Sequence, residues 1–131
     1  MFSHIMMGVT DFDRAFAFYA PLFEVLGADI LFKQPETPLA AWKPEGQFGP
    51  SFFIMPPFDG NPHSVGNGQM TAFECKTRAQ VDQAYAVVMD NGATDEGKPG
   101  LRPHYHRNYY GAYFRDPDGN KLCVVCHARE E

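Results

Sequence analysis

The stretch from Tyr109 to His127 reads YYGAYFR, then DPDGN, then KLCVVCH. Two apolar, aromatic-rich runs flank Asp116-Pro117-Asp118-Gly119-Asn120, which predicts a β-hairpin. Pro117 presets φ for the turn, the Asp side chains cap backbone N–H groups, and Gly119 supplies positive φ. Parity on these strands places Tyr109, Gly111 and Tyr113 on one face, together with Cys123.

Outward from that hairpin, the chain has the proportions of one domain. Its 131 residues suffice to bury roughly two-thirds of the unfolded surface without staples. A hydrophobic content of 44% is that of a globular chain rather than a disordered one. The net charge of −5 disfavours a phosphate backbone as partner, so nucleic acid is not expected. That charge would suit a cationic ligand, but it is also an ordinary solubility charge. No apolar run approaches the ~20 residues of a membrane helix, so no membrane association is expected. The start, Met1-Phe2-Ser3-His4-Ile5, lacks the features of a signal peptide. With three cysteines, Cys75, Cys123 and Cys126, the chain is expected in a reducing cytoplasm. Cys123 and Cys126 are spaced C-x-x-C, but three apart on a strand they face opposite ways. Two separately packed thiols are therefore expected rather than a redox or zinc pair.

The same order of elements is written twice. A strand over His4–Val9 leads through Thr10-Asp11 into a helix whose Ala15, Phe16, Phe18, Tyr19, Leu22, Phe23 and Leu26 share a face. Pro21 predicts a kink or break inside that helix, and Gly27 closes it. Strands follow at 29–33, 39–43 and 51–55, before a linker-like segment over 56–68 rich in Pro and Gly. A strand at 69–75 then reopens the series. Thr77-Arg78 starts a second helix with Val81, Ala84, Tyr85 and Val88 inward, and Asn91-Gly92-Ala93 mirrors Leu26-Gly27-Ala28, 65 residues on. A strand at 94–96, a loop over 97–108 and the hairpin complete it. The pattern is a duplicated βαβββ unit, an α+β fold of two tandem modules forming a cupped mixed sheet with helices outside.

The run Gly111-Ala-Tyr-Phe-Arg-Asp-Pro-Asp-Gly-Asn-Lys-Leu122 and the run Val9-Thr-Asp-x-x-Arg-Ala-x-x-Phe-Tyr19 resemble the vicinal oxygen chelate superfamily. That superfamily includes glyoxalase I, extradiol dioxygenases, and fosfomycin- and bleomycin-resistance proteins. The resemblance spans essentially the whole chain. It implies a single glyoxalase-like domain over 1–131, with module one at 1–57, a linker at 58–67 and module two at 68–131.

It also implies where a metal would sit. Members that bind Fe, Mn, Zn or Ni present His, Gln and Glu from strand positions, leaving open coordination sites for a bidentate oxygen substrate. His4 stands at the first such position. Gly68-Gln69-Met70-Thr71-Ala72-Phe73 puts Met70 at the second, or Gln69 if the register shifts by one, which flips the strand's faces. Where a liganding Glu belongs, seven residues after Asp116, stands Cys123. Glu74 shares parity with Met70. Thioether, thiol and imidazole do not suit chelate chemistry, so no cofactor of the usual kind is expected. The alternative is a divalent Zn, Ni, Mn or Fe held by His4, Gln69, His104 or His106.

Other residues suit a small molecule. Tyr113 matches a ligand-contacting Tyr of fosfomycin-resistance proteins, and Tyr109 and Tyr113 offer both an apolar body and a hydroxyl. The alternative reading is two core aromatics satisfied by backbone. In the loop after Glu96, Arg102 is suited to grip a carboxylate or phosphate. His104 and His106 bind a metal only if that loop is extended, and are otherwise solvated. Trp42 either floors the pocket or packs in the first sheet. The expected ligand-binding set is Tyr109, Tyr113, Arg102, Trp42, Met70, Glu74 and Cys123. The expected function is binding of a small organic molecule by a homodimer, since open sheet edges favour pairing. The alternatives are a divergent lyase, isomerase or dioxygenase using His4, and an accessory domain with a vestigial cup.

Overall fold

The computed structural model describes residues 1–34 and 36–130. Glu131, the last residue of the expected second module, lies outside the described residues. Two compact units meet between Val65 and Gly66, within the segment read as a linker.

The first unit runs β1 (His4–Gly8), α1 (Phe12–Leu26), β2 (Ala28–Gln34), β3 (Leu39–Pro44) and β4 (Ser51–Met55). The second runs β5 (Thr71–Cys75), α2 (Arg78–Asp90), β6 (Thr94–Leu101), β7 (Tyr110–Arg115) and β8 (Lys121–Cys126). The sheet orders are β1-β4-β3-β2 and β5-β8-β7-β6. In each, the first strand pairs parallel with the last and the other pairings are antiparallel. The two units are thus one α+β topology used twice, the tandem βαβββ arrangement expected from the repeat.

Both helices start and stop where side-chain chemistry dictates. The Asp11 carboxylate accepts from the Arg14 N–H at 3.1 Å, and Gly27 closes α1 at φ 72°. Thr77 Oγ1 accepts from the Gln80 N–H at 3.0 Å, while Gln80 Oε1 accepts from the Lys76 N–H at 2.7 Å. The break anticipated at Pro21 does not occur. Helix α1 continues through it to Leu26, its inner face anchored on aromatic packing. Phe23 stacks on Trp42 at 4.8 Å, and Tyr19 lies 5.3 Å from Phe52. Each such side chain contributes about 1.5–3 kcal/mol on full burial, comparable to the ~3 kcal/mol a helix-interior proline costs.

In the second unit, Val81, Ala84 and Val88 are fully buried. Tyr110 identifies the sheet face beneath α2, because its hydroxyl donates to Asp82 of that helix at 2.7 Å. Ala112 and Phe114 share its parity, paired with Val124 and Leu122. The opposite face carries Gly111, Tyr113, Cys123 and Val125.

Two boundaries depart from expectation by more than one residue. Strand β5 begins at Thr71 rather than Gln69, because Gln69 is held in a turn by its N–H to the Gly66 carbonyl at 3.1 Å. Strand β6 extends to Leu101, through residues read as loop, with register shifts between Asp95 and Gly100. Among the described residues, no helix is long and apolar enough to cross a membrane.

The hairpin turn is built on one buried carboxylate. Asp116 Oδ1 accepts from the Asp118 and Asn120 N–H groups, both at 2.9 Å, and Oδ2 accepts from Asn120 Nδ2 at 2.9 Å. Gly119 takes φ 90°, as the turn requires. Replacing Asp116 by Ala strands those donors, two of them on buried Asn120. The expected loss is about 2–4 kcal/mol, read as a lowered urea midpoint with unchanged slope. A variant within about 0.5 kcal/mol of wild type would remove this turn from the determinants of the fold.

Candidate functional site

The hairpin register sets the centre of the site. Tyr113 on β7 pairs with Cys123 on β8, and Ala72 on β5 flanks Cys123 from the other side. Tyr109, just ahead of β7, folds its ring over the same face. Its hydroxyl lies 2.8 Å from the Tyr113 hydroxyl and 3.8 Å from Cys123 Sγ. The three groups form a chain, Cys123 to Tyr109 to Tyr113.

This chain is neutral near pH 7. Burial, and then hydrogen bonds to Tyr113 and Cys123, push the Tyr109 hydroxyl well above the ordinary phenol range. Burial likewise raises Tyr113. It also raises the Cys123 thiol, against the opposing pull of the two hydroxyls, Arg102 and Lys121. Cys75, on the α2 side of the sheet, is pushed up to about 12 by burial and then by its thiol neighbours. The three cysteines are free and buried.

Arg102 joins this cluster from the end of β6. Its side chain folds back along the strand, donating from Nη1 to the Gly100 carbonyl and from Nη2 to the Lys98 carbonyl, each at 2.8 Å. The guanidinium lies 5.5 Å from the Tyr113 ring centre. Two glycines make room for it. A Cβ on Gly97 would stand 3.2 Å from Arg102 Nη2, and one on Gly100 would stand 3.1 Å from Nη1. Lys121 approaches the same Tyr113 ring, at 5.8 Å.

The other expected residues are distributed differently. Glu74 is exposed on the Cys123 face, opposite Val125. Met70 and Gln69 are exposed ahead of β5. Trp42 packs in the first sheet against α1, its rings stacked on Phe23 and Phe16. His4 is exposed in the first unit, with Nδ1 2.8 Å from Ser3 Oγ and its ring edge on Phe53. The segment holding His104 and His106 is not extended. It coils through turns closed by Tyr105 N–H to the Arg102 carbonyl and Tyr109 N–H to the His106 carbonyl. His104 therefore packs on Tyr105, while His106 Nε2 meets His127 Nδ1 at 2.9 Å. His106 Nδ1 also accepts from the Asn108 N–H at 3.1 Å. That bond assigns the proton of the neutral ring to Nε2, which then donates to His127. Such a ring is committed to hydrogen bonds at both nitrogens.

His127 and Lys121 were missed at the sequence level, though strand parity with Cys123 and Val125 marks both. The seat formed by Gly97 and Gly100 carried a weaker signal, a G-x-x-G spacing that reads as loop.

Two of the implied metal positions hold sulfur in place of the oxygen donors that suit a hard divalent cation. Met70 offers a thioether outside the strand, and Cys123 offers a protonated thiol already bonded to a phenol. The oxygen-rich set that polarises a chelating substrate is not what these residues supply.

The comparisons agree with the duplicated topology. The model of the Glyoxalase/Bleomycin resistance protein/Dioxygenase superfamily matches residues 1–124. A glyoxalase/bleomycin resistance protein from Albidiferax ferrireducens is 34% identical, with TM-score 0.84, covering 98% of this chain and 99% of that one. A glyoxalase-related enzyme from Fulvimarina pelagi shares the fold at 17% identity and TM-score 0.72, over 96% of this chain and 87% of the other. A glyoxalase/dioxygenase from Nostoc punctiforme does so at 19% and 0.68, over 98% and 92%. No curated protein matches it in sequence. With its family model covering nearly the whole chain and both units built as βαβββ, the protein belongs to the glyoxalase/bleomycin resistance/dioxygenase superfamily.

Proposed function

We propose that this chain binds a small organic molecule on the face of the second sheet turned away from α2, without a metal. The observation that carries this reading is the Cys123–Tyr109–Tyr113 chain, a buried thiol bonded into two half-buried tyrosines, all protonated. A catalytic base or nucleophile needs a group that ionises near neutral pH, and burial drives all three the other way. A binding face needs apolar rings and a few oriented polar groups, which Tyr109, Tyr113 and Arg102 supply. A C2 homodimer belongs to the same proposal, because each four-stranded sheet has two edges unpaired within its own unit.

Ligand-observed NMR with a fragment library of mixed charge tests the reading. Hits on wild type are expected to weaken about five- to tenfold for each hydroxyl removed in Tyr109→Phe and Tyr113→Phe. Hits indifferent to both changes would move the site elsewhere.

Thiol titration at pH 8 is expected to be slow in the native protein and complete for the three cysteines in denaturant. Rapid native labelling of Cys123, lost in Cys123→Ala, would show a reactive thiol and reopen the nucleophile role.

Elemental analysis of protein purified without a His-tag is expected to find well under one metal per chain. Near-stoichiometric metal that disappears in His4→Ala would restore the metal-dependent enzyme.

A further inference from the structure

The geometry points to an oxyanion subsite at Arg102 and Lys121: the molecule held on this face carries a carboxylate or phosphate-type group. The inference rests on the binding reading above and narrows it to a ligand class.

A partly buried charge is costly unless it is paired. Four cations of the second unit are half-buried: Arg78, Arg102, Arg115 and Lys121. Arg78 pairs with Glu130 at 2.9 Å and Arg115 with Glu96 at 2.6 Å. Among the described residues, neither Arg102 nor Lys121 has a carboxylate within ion-pair reach, and both approach the one Tyr113 ring. Two like charges gathered on one ring without a counter-ion is an arrangement that an anionic guest relieves.

The guanidinium is also positioned rather than loose. Two of its five N–H donors are fixed on the Lys98 and Gly100 carbonyls, which leaves three for a ligand. Backbone anchoring on both Nη atoms, in a seat that Gly97 and Gly100 keep clear, holds the plane of the group in advance of binding. Preorganised forks of this kind suit oxyanions, whereas a free lysine offers only a point charge.

Polarity along the face agrees. On β8, Lys121 lies one pair to one side of Cys123, and Val125, opposite Glu74, lies to the other. The cations without a carboxylate partner among the described residues stand at the Tyr113 end, where Arg115, opposite Lys121, is matched by Glu96, and Glu74 stands at the far end. Lys98 does not add to the subsite, since its ammonium is drawn to Asp95 at 3.7 Å. A ligand with an oxyanion at Arg102 then lays its organic body along Tyr113 and Tyr109, within reach of their hydroxyls.

The test uses four probes on the full chain, followed by amide chemical shifts: 4-hydroxybenzoate, phenyl phosphate, the neutral 4-hydroxybenzamide and the cation tyramine. At least one oxyanion is expected to shift residues 109–115 and 121–125, more strongly than the neutral or cationic probe. Arg102→Gln should weaken it tenfold or more, and Arg102→Lys less, because charge survives but the fork does not. Lys121→Gln, which removes no hydrogen bond of the described structure, should weaken it several-fold and serves if Arg102→Gln does not fold. Preference between the carboxylate and the phosphate identifies which group the seat takes. Neutral or cationic probes binding here while both oxyanions fail would overturn the subsite and leave the binding face standing. Oxyanion binding unchanged in Arg102→Gln and Lys121→Gln would also overturn it. Silence from these probes and from the whole mixed-charge library would remove both readings together.

Discussion

The second unit depends on the Asp116 carboxylate and the donors it collects from its own turn. That single side chain satisfies the Asp118 and Asn120 N–H groups and the Asn120 amide in a buried position. In doing so it fixes the number of residues in the turn, and the turn length fixes the pairing of β7 with β8. From that register follow Tyr113 opposite Cys123, and Phe114 opposite Leu122 on the other side. A slip of one residue would exchange the two faces, sending Tyr113 under α2 and Phe114 to the side now held by Tyr113 and Cys123. The stability of the unit and the composition of its site therefore hang on the same few hydrogen bonds.

The face so produced has an electrical character unlike that of the chain as a whole. The protein carries a net charge of −5, yet the half-buried cations that lack a carboxylate partner among the described residues gather around one tyrosine. At physiological salt, screening over about 8 Å makes the near field of Arg102 and Lys121 outweigh distant surface carboxylates. The formal charge of the sequence is thus a poor guide to what this face attracts. The neutral hydroxyl and thiol chain beside the cations adds directional bonding without competing charge.

How much could be read in advance follows from the range of the interactions involved. The hairpin was legible because Asp116, Pro117 and Gly119 act on their own turn, and alternation then places Tyr109, Tyr113 and Cys123 together. The duplication was legible because capping residues and helix-closing glycines are local as well. Pro21 left kink and break both open, because an isolated proline reports the backbone cost and not the Tyr19, Phe23, Trp42 and Phe52 packing that keeps α1 continuous. The tail of β6 was read as loop because Lys98-Pro99-Gly100 has loop composition, and its irregular pairing with β7 is set by a strand several residues on. The contact of His106 with His127 spans 21 residues and leaves no periodic trace. Nor does the absence of a carboxylate partner for Arg102 among the described residues, which only the folded arrangement reveals.

The parallel pairing of first strand to last has a consequence for how each unit is assembled. In both sheets the last strand of the unit is an interior one, β4 between β1 and β3, and β8 between β5 and β7. The strand made last is thus the one that joins the two ends of its unit. Until Lys121–Cys126 has left the ribosome, β5 has no hydrogen-bonding neighbour in its own unit, and α2 has only part of the sheet it covers. Closure of the second unit is a late, non-local event, with the slow kinetics that high contact order imposes. The first unit has the same topology but is complete by Met55, so vectorial synthesis gives it a head start of about half the chain.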